Sequence, residues 1–102
     1  MSIEIHETDT FVHWMRRLKD RQARTRIAVR LQRLAFGHFG DSRAIGNGVN
    51  ELRFHFGPGY RVYFAQRSDV LVILLCGGDK SSQARDMEKA KALAKEMLED
   101  ER

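Results

Sequence analysis

Apolar side chains recur at three- and four-residue steps in three stretches of the chain, and at every second or every position in three others. Helices and strands are therefore both expected. Phe11, Trp14, Met15 and Leu18 fall on one face of a first helix, which Thr8, Asp9 or Thr10 can cap. A break at Lys19 and Asp20 leads to a second helix reaching about Phe36, with Ala23, Ile27, Leu31, Leu34 and Ala35 as its inner stripe. Met87, Ala90, Leu93, Ala94 and Met97 mark a last helix, opened by Ser81 or Ser82 and ending in a fraying tail at Glu99–Arg102. Ile3–Glu7 reads as a short edge strand, and Glu51–Phe56, Tyr60–Gln66 and Val70–Cys76 as three further strands. "VLVILLC" has no polar position, which fits a strand covered on both faces. Residues 37–50, "GHFGDSRAIGNGVN", read as a glycine-rich connection with a short extended piece at Arg43–Ile45. No repeat, low-complexity tract or linker divides the chain, so one domain spanning residues 1–102 is expected.

The strand pair around "ELRFHFGPGYRVYF" separates two kinds of side chain. Pro58-Gly59 suits the centre of a type II turn, because proline presets one φ and glycine accepts the positive φ that follows. Side chains alternate across a strand. Leu52, Phe54 and Phe56 with Tyr60, Val62 and Phe64 then share the apolar side, while Glu51, Arg53, His55, Arg61 and Tyr63 share the other. Two arginines on one surface can grip a phosphate and counter the charge that builds on it in a displacement. His55 and Tyr63 offer groups that move or donate protons, Glu51 can orient an arginine or act as a base, and Lys80 can add charge at the rim. The same residues also suit a polar sheet face with Glu–Arg cross-strand pairs.

Charge sharpens the first of these readings. Residues 16–67 hold twelve Lys and Arg against three Asp and Glu, a net +9, while the remainder carries −5 of the chain's +4. A basic middle between acidic ends attracts a polyanion, most simply nucleic acid. On the second helix Arg26, Arg30 and Arg33 form a stripe of their own. Such like charges cost a few tenths of a kcal/mol per pair in an isolated helix, so a neutralising partner such as RNA suits them, as does an ordinary solvated face.

Other chemistries find little support. The four histidines show no HExxH spacing, the single Cys76 excludes a cysteine-rich zinc site and an intrachain disulfide, and no P-loop, GxSxG elbow or dinucleotide fingerprint is present. No metal or other cofactor is expected. No apolar run nears the roughly 20 residues needed to cross a bilayer, and the first ten residues are acidic and polar, unlike a signal peptide, so a cytoplasmic protein without membrane contact is expected.

"GNGVNELRFHFGPGYRVYF" followed by "LLCGGDKSSQARDMEKAKALAKE" resembles the addiction-module killer proteins, a branch of the RelE/ParE superfamily of bacterial toxins close to the HigB and phage Gp49-like group. The resemblance runs through nearly the whole chain in element order, β-α-α-β-β-β-α. It implies an α+β fold with helices packed on one side of a mainly antiparallel sheet. It also implies a cognate helix-turn-helix antitoxin, through which alone operator DNA is reached. RelE-like members cut mRNA in the ribosomal A site without metal, by attack of a ribose 2′-hydroxyl on the adjacent phosphate. By position, Arg61 matches the sheet arginine that contacts the scissile phosphate, and Arg53 and Lys80 match supporting basic residues. One departure stands out. Several relatives use a tyrosine near the C-terminus for proton transfer, and here no tyrosine follows Tyr63, although Asp79 and Asp86 remain. His55 or Tyr63 is expected in that role. Two other outcomes stay open: a ParE-like inhibitor of DNA gyrase, and a non-catalytic corepressor acting with its antitoxin.

Overall fold

The computed structural model describes residues 2–100. The chain runs β1 (Glu4–Glu7), α1 (Asp9–Arg17), α2 (Arg21–Ala35), β2 (Ser42–Gly46), β3 (Val49–Arg53), β4 (Arg61–Ser68), β5 (Leu71–Gly78), a 3₁₀ turn (Lys80–Ser82) and α3 (Gln83–Asp100). The strands form one sheet in the order β1-β5-β4-β3-β2; β1 lies parallel to β5 and every other neighbour is antiparallel. The α+β class and mainly antiparallel sheet are as expected, and Glu101 and Arg102 of the expected tail lie outside the described residues.

One strand more is present than the sequence patterns predict. The short extended piece expected at Arg43–Ile45 is this strand, β2, which pairs along β3. Gly46, Asn47 and Gly48 all take positive φ, and this left-handed run folds the chain back on itself between the two strands. The Asn-Gly pair is the legible signal.

The helices also divide between the two faces instead of sharing one. Phe11, Ala23, Ile27 and Leu34 from α1 and α2 pack with Leu52, Val62, Phe64, Val72 and Leu74. Ala90 and Ala94 of α3 pack with Val49, Tyr63, Ala65, Ile73 and Leu75 on the opposite side. β5 is therefore covered twice, which is what its unbroken apolar run requires. Trp14 lies over Gly77, where an added Cβ would run into its ring, and it meets Phe11 and Tyr60 at tilted and edge-on angles.

Local signals set the helix starts. The Thr8 hydroxyl accepts from Phe11 N–H and donates to the Leu75 carbonyl, so one side chain caps α1 and ties it to β5. Asp20 caps α2 by accepting from Gln22 and Ala23. Asp79 caps the 3₁₀ turn that leads into the last helix, and Ser82, one of the two expected caps, directly precedes Gln83. The Asp79 carboxylate accepts from Ser81 N–H, and a reciprocal Ser82 contact completes a capping box over the 3₁₀ turn.

Candidate nucleic-acid interface

Strands β3 and β4 pair with Leu52 opposite Val62, Glu51 opposite Tyr63 and Arg53 opposite Arg61. Phe54 N–H donates to the Tyr60 carbonyl, so the next pair along, Arg53 with Arg61, exchanges no backbone hydrogen bonds. Side chains stand closest at such pairs. The two arginines thus share one face, side by side, as the alternation predicts. On its other flank Arg61 faces Gly78 of β5. A Cβ there would collide with the Asp86 carboxylate and come within 2.9 Å of Ser82 Oγ, so the missing side chain lets the start of α3 settle directly onto the sheet beside the arginines. Ser82 donates to the Asp86 carboxylate.

The two arginines differ in environment. Arg53 is half-exposed and gives Nε and a terminal nitrogen to Asp41 Oδ1, at 3.3 and 3.0 Å. Arg61 retains 9% of its surface, forms no ion pair among the described residues, and its buried Nε has no hydrogen-bond partner. A buried donor left unpaired costs about 1–3 kcal/mol, and like charges placed opposite each other in a sheet are also unfavourable.

Beneath this pair lies a buried carboxylate. Glu51 has no exposed surface and accepts from Arg43 Nε at 2.9 Å, Gln83 Nε2 at 2.8 Å and the Tyr63 hydroxyl at 3.3 Å. Burial alone pushes its pKa up, but the donors from Arg43 and Gln83, with the positive charges of Arg43 and Arg61, outweigh burial and hold it below its ordinary value. Glu51 is therefore a fixed anion that joins β2, β3, β4 and α3 and lends its field to Arg61. Of the two roles open to it from sequence, orienting an arginine or acting as a base, the geometry favours the first.

A proton-transfer role does not suit Tyr63. Its side chain is wholly buried, and burial, followed by the charges of Glu51 and Asp86, raises its pKa well above that of a free phenol. Cys76 is likewise sealed; burial and Asp86 push its thiol up to about 12.

His55 lies beyond the end of β3, which stops at Arg53. Phe54 and Phe56 on either side of it still join the α1–α2 core, as the alternation predicts, and His55 reaches the same carboxylate as Arg53. The connection closes through Gly59 N–H donating to the Phe56 carbonyl, with Gly57 and Gly59 at positive φ, so Gly57 and Pro58 rather than Pro58 and Gly59 form its centre. His55 Nε2 bonds to Asp41 Oδ2 with its ring largely exposed. Asp41 thus bridges His55 and Arg53, and the His55 bond, then the Arg53 bond, holds its carboxyl below the usual aspartate range. Lys80 is exposed, and its backbone packs on the hairpin tip, N–H to the Pro58 carbonyl at 3.3 Å.

The helical arginines lie on the α2 face of the sheet. Arg30 is partly structural: it donates to the carbonyls of Arg53 and Asp41 and stacks 4.6 Å over the Phe54 ring. Arg26 stacks over Phe56 at the same distance. Arg33 is exposed. His55 lines a groove of about 350 Å³ with these three arginines, Phe54 and Phe56, and so connects the two faces.

The sequence patterns do not single out Asp41, Arg43 or Gln83. Asp41 and Arg43 lie in the glycine-rich connection, Arg43 in the piece expected to be extended, and no local pattern marks either as a partner of the hairpin residues. Gln83 and Asp86 do carry a signal, a three-residue step ahead of Met87 and Ala90 that puts both on the inner side of α3.

Comparison with known proteins agrees with this architecture. Residues 13–99 match the family model described as phage derived protein Gp49-like. An uncharacterized protein of Haemophilus influenzae is 50% identical over 97 residues, covering 95% of this chain and 98% of that protein. The structure of a mutant of the E. coli toxin RelE, with two arginines replaced by alanine and in the free state, superposes with a TM-score of 0.67 at 14% identity, covering 84% of this chain and 93% of that one.

Proposed function

Because the chain belongs to the phage-derived Gp49-like family, among the RelE/ParE-like toxins, we propose that it is the toxin of a type II toxin–antitoxin pair and that it cuts mRNA on the ribosome. The observation that carries this reading is the Arg53–Arg61 pair, two arginines directly opposite each other across the β3–β4 ladder, with no ion pair on Arg61 among the described residues. An anionic backbone laid across the pair relieves the mutual repulsion and gives the guanidinium groups an anionic partner. In the displacement the ribose 2′-hydroxyl oxygen bonds to the neighbouring phosphorus and loses its proton to a base. The bond from phosphorus to the 5′-oxygen breaks, the leaving oxygen takes up a proton, and a 2′,3′-cyclic phosphate remains. Charge rises on the non-bridging oxygens during this step, and Arg61 and Arg53 offset it. In this reading His55, held by Asp41, moves the protons, and Lys80 adds charge at the hairpin tip. No step calls on a metal or a cofactor. The working setting is the cytoplasm, the partner a helix-turn-helix antitoxin, and operator DNA is engaged only through that antitoxin.

The small accessible fraction of Arg61 favours a second reading, a ParE-like gyrase inhibitor that binds without cutting RNA. Expression without the antitoxin, followed by mapping of RNA ends across the transcriptome, separates the two. The nuclease reading expects new 5′ ends within translated frames. Intact mRNA together with inhibited supercoiling selects the gyrase reading, and harmless expression selects a corepressor.

A further inference from the structure

The outer face of α2 carries a combination the sheet site does not use. Val29 and Phe36 are two of the three large hydrophobic residues left exposed among the described residues, at 39% and 68%. They are interleaved with Arg26 and Arg33. Two grooves, of about 350 and 470 Å³, meet at Val29 and Arg33; the first is floored by Phe54 and Phe56, and the second ends at Phe36 and His38. Among the described residues no carboxylate lines either groove. Arg26 and Arg33 form no ion pair among those residues, so the stripe's positive charge is uncompensated. Alternating cations and exposed aromatic or apolar surface is the arrangement that holds a single strand, phosphates on the arginines and bases against the rings.

We propose that this α2 face, from Arg26 to Phe36, is a track for single-stranded RNA leading to the arginine pair. From Arg26 to the C-cap Phe36, eleven residues, the rise is about 15 Å, roughly four stacked nucleotides at ~3.4 Å each. His55 lines the groove and bonds Asp41, which holds Arg53, so the track meets the arginine pair at the end of β3. Arg30, anchored to the carbonyls of Arg53 and Asp41, fixes α2 against that junction. That the strand is mRNA rests on the nuclease reading; that the track takes single-stranded RNA does not.

The test is anisotropy titration of the purified chain with a labelled 2′-O-methyl RNA of about eight nucleotides, which has no free 2′-hydroxyl to attack. Phe36→Ala is expected to weaken binding about tenfold by removing a stacking platform. Arg26→Gln with Arg33→Gln is expected to weaken it and to reduce the salt slope by about 1.4, two single-strand phosphate contacts. All three side chains lie on the outer face of α2, and unchanged thermal melts confirm folded variants. Affinity and slope unmoved in both variants overturn the track, as does equal, variant-sensitive binding of a duplex of the same length. Cleavage measured alongside separates the two readings. If the wild-type chain cuts no mRNA yet binds with this dependence, the track stands and the nuclease reading falls. If Arg61→Ala alone abolishes cutting while the α2 variants bind and cut normally, the reverse holds.

Discussion

Arg61→Ala is expected to lower single-turnover cleavage of ribosome-bound mRNA by about 10²–10³-fold, the usual cost of removing one preorganised donor from a developing oxyanion. Arg61 and Arg53 face each other across the β3–β4 ladder, and of the two Arg53 has a carboxylate of its own. Removing Arg61 takes away an unpaired buried donor and a like-charge contact but also a positive charge that favours the Glu51 anion, so the rate is to be compared at equal folded fraction, set by a thermal melt. Arg61→Lys is expected to recover only part of the rate, because a point charge replaces a planar fork of donors. Unimpaired cleavage by the alanine variant would count against the whole assignment.

The largest effect on stability is expected at Glu51. Glu51→Ala leaves the Tyr63 hydroxyl and the Gln83 amide without their acceptor and uncouples Arg43, all at the seam between β3 and α3. Removing one member of a buried charged pair costs about 3–5 kcal/mol, and because Arg43 is half-exposed the lower end, about 3 kcal/mol, applies here. Urea unfolding measures it directly. The pH dependence follows from the direction of the shift. The folded-state pKa of Glu51 is depressed, so its contribution is fully present above the ordinary value of 4.5 and is lost as pH falls through the lower folded-state value. Glu51→Gln should flatten the stability profile across that acid window, and a profile identical to wild type contradicts the clamp.

The hairpin shows why part of the site was legible in the sequence and part was not. Period-two alternation is a local property of extended backbone, so it correctly set Arg53 and Arg61 on one face and Leu52, Val62 and Phe64 on the other. It does not tell where the ladder ends: β3 stops at Arg53, ahead of the Gly57-Pro58-Gly59 run, so His55 is held by Asp41 and not by strand pairing. The unbroken apolar run of β5 announced two covered faces, yet the resemblance to one-sided helix packing obscured that α3 is the second cover. The partners of Glu51 come from β2, β4 and α3, separated by up to 32 positions in the chain, and no local pattern joins them. Tyr63 alternates onto the polar face as expected, but its burial depends on the start of α3 settling at Gly78, a tertiary fact.

The central claim is that Arg53 and Arg61 hold the RNA backbone, and the Nε–Hε resonances of ¹⁵N-labelled arginine report it most directly. Titrating the purified chain with the non-cleavable 2′-O-methyl RNA should move both resonances saturably, since the two arginines lie opposite each other on the ladder. RNA that binds while both resonances stay in place would contradict the account.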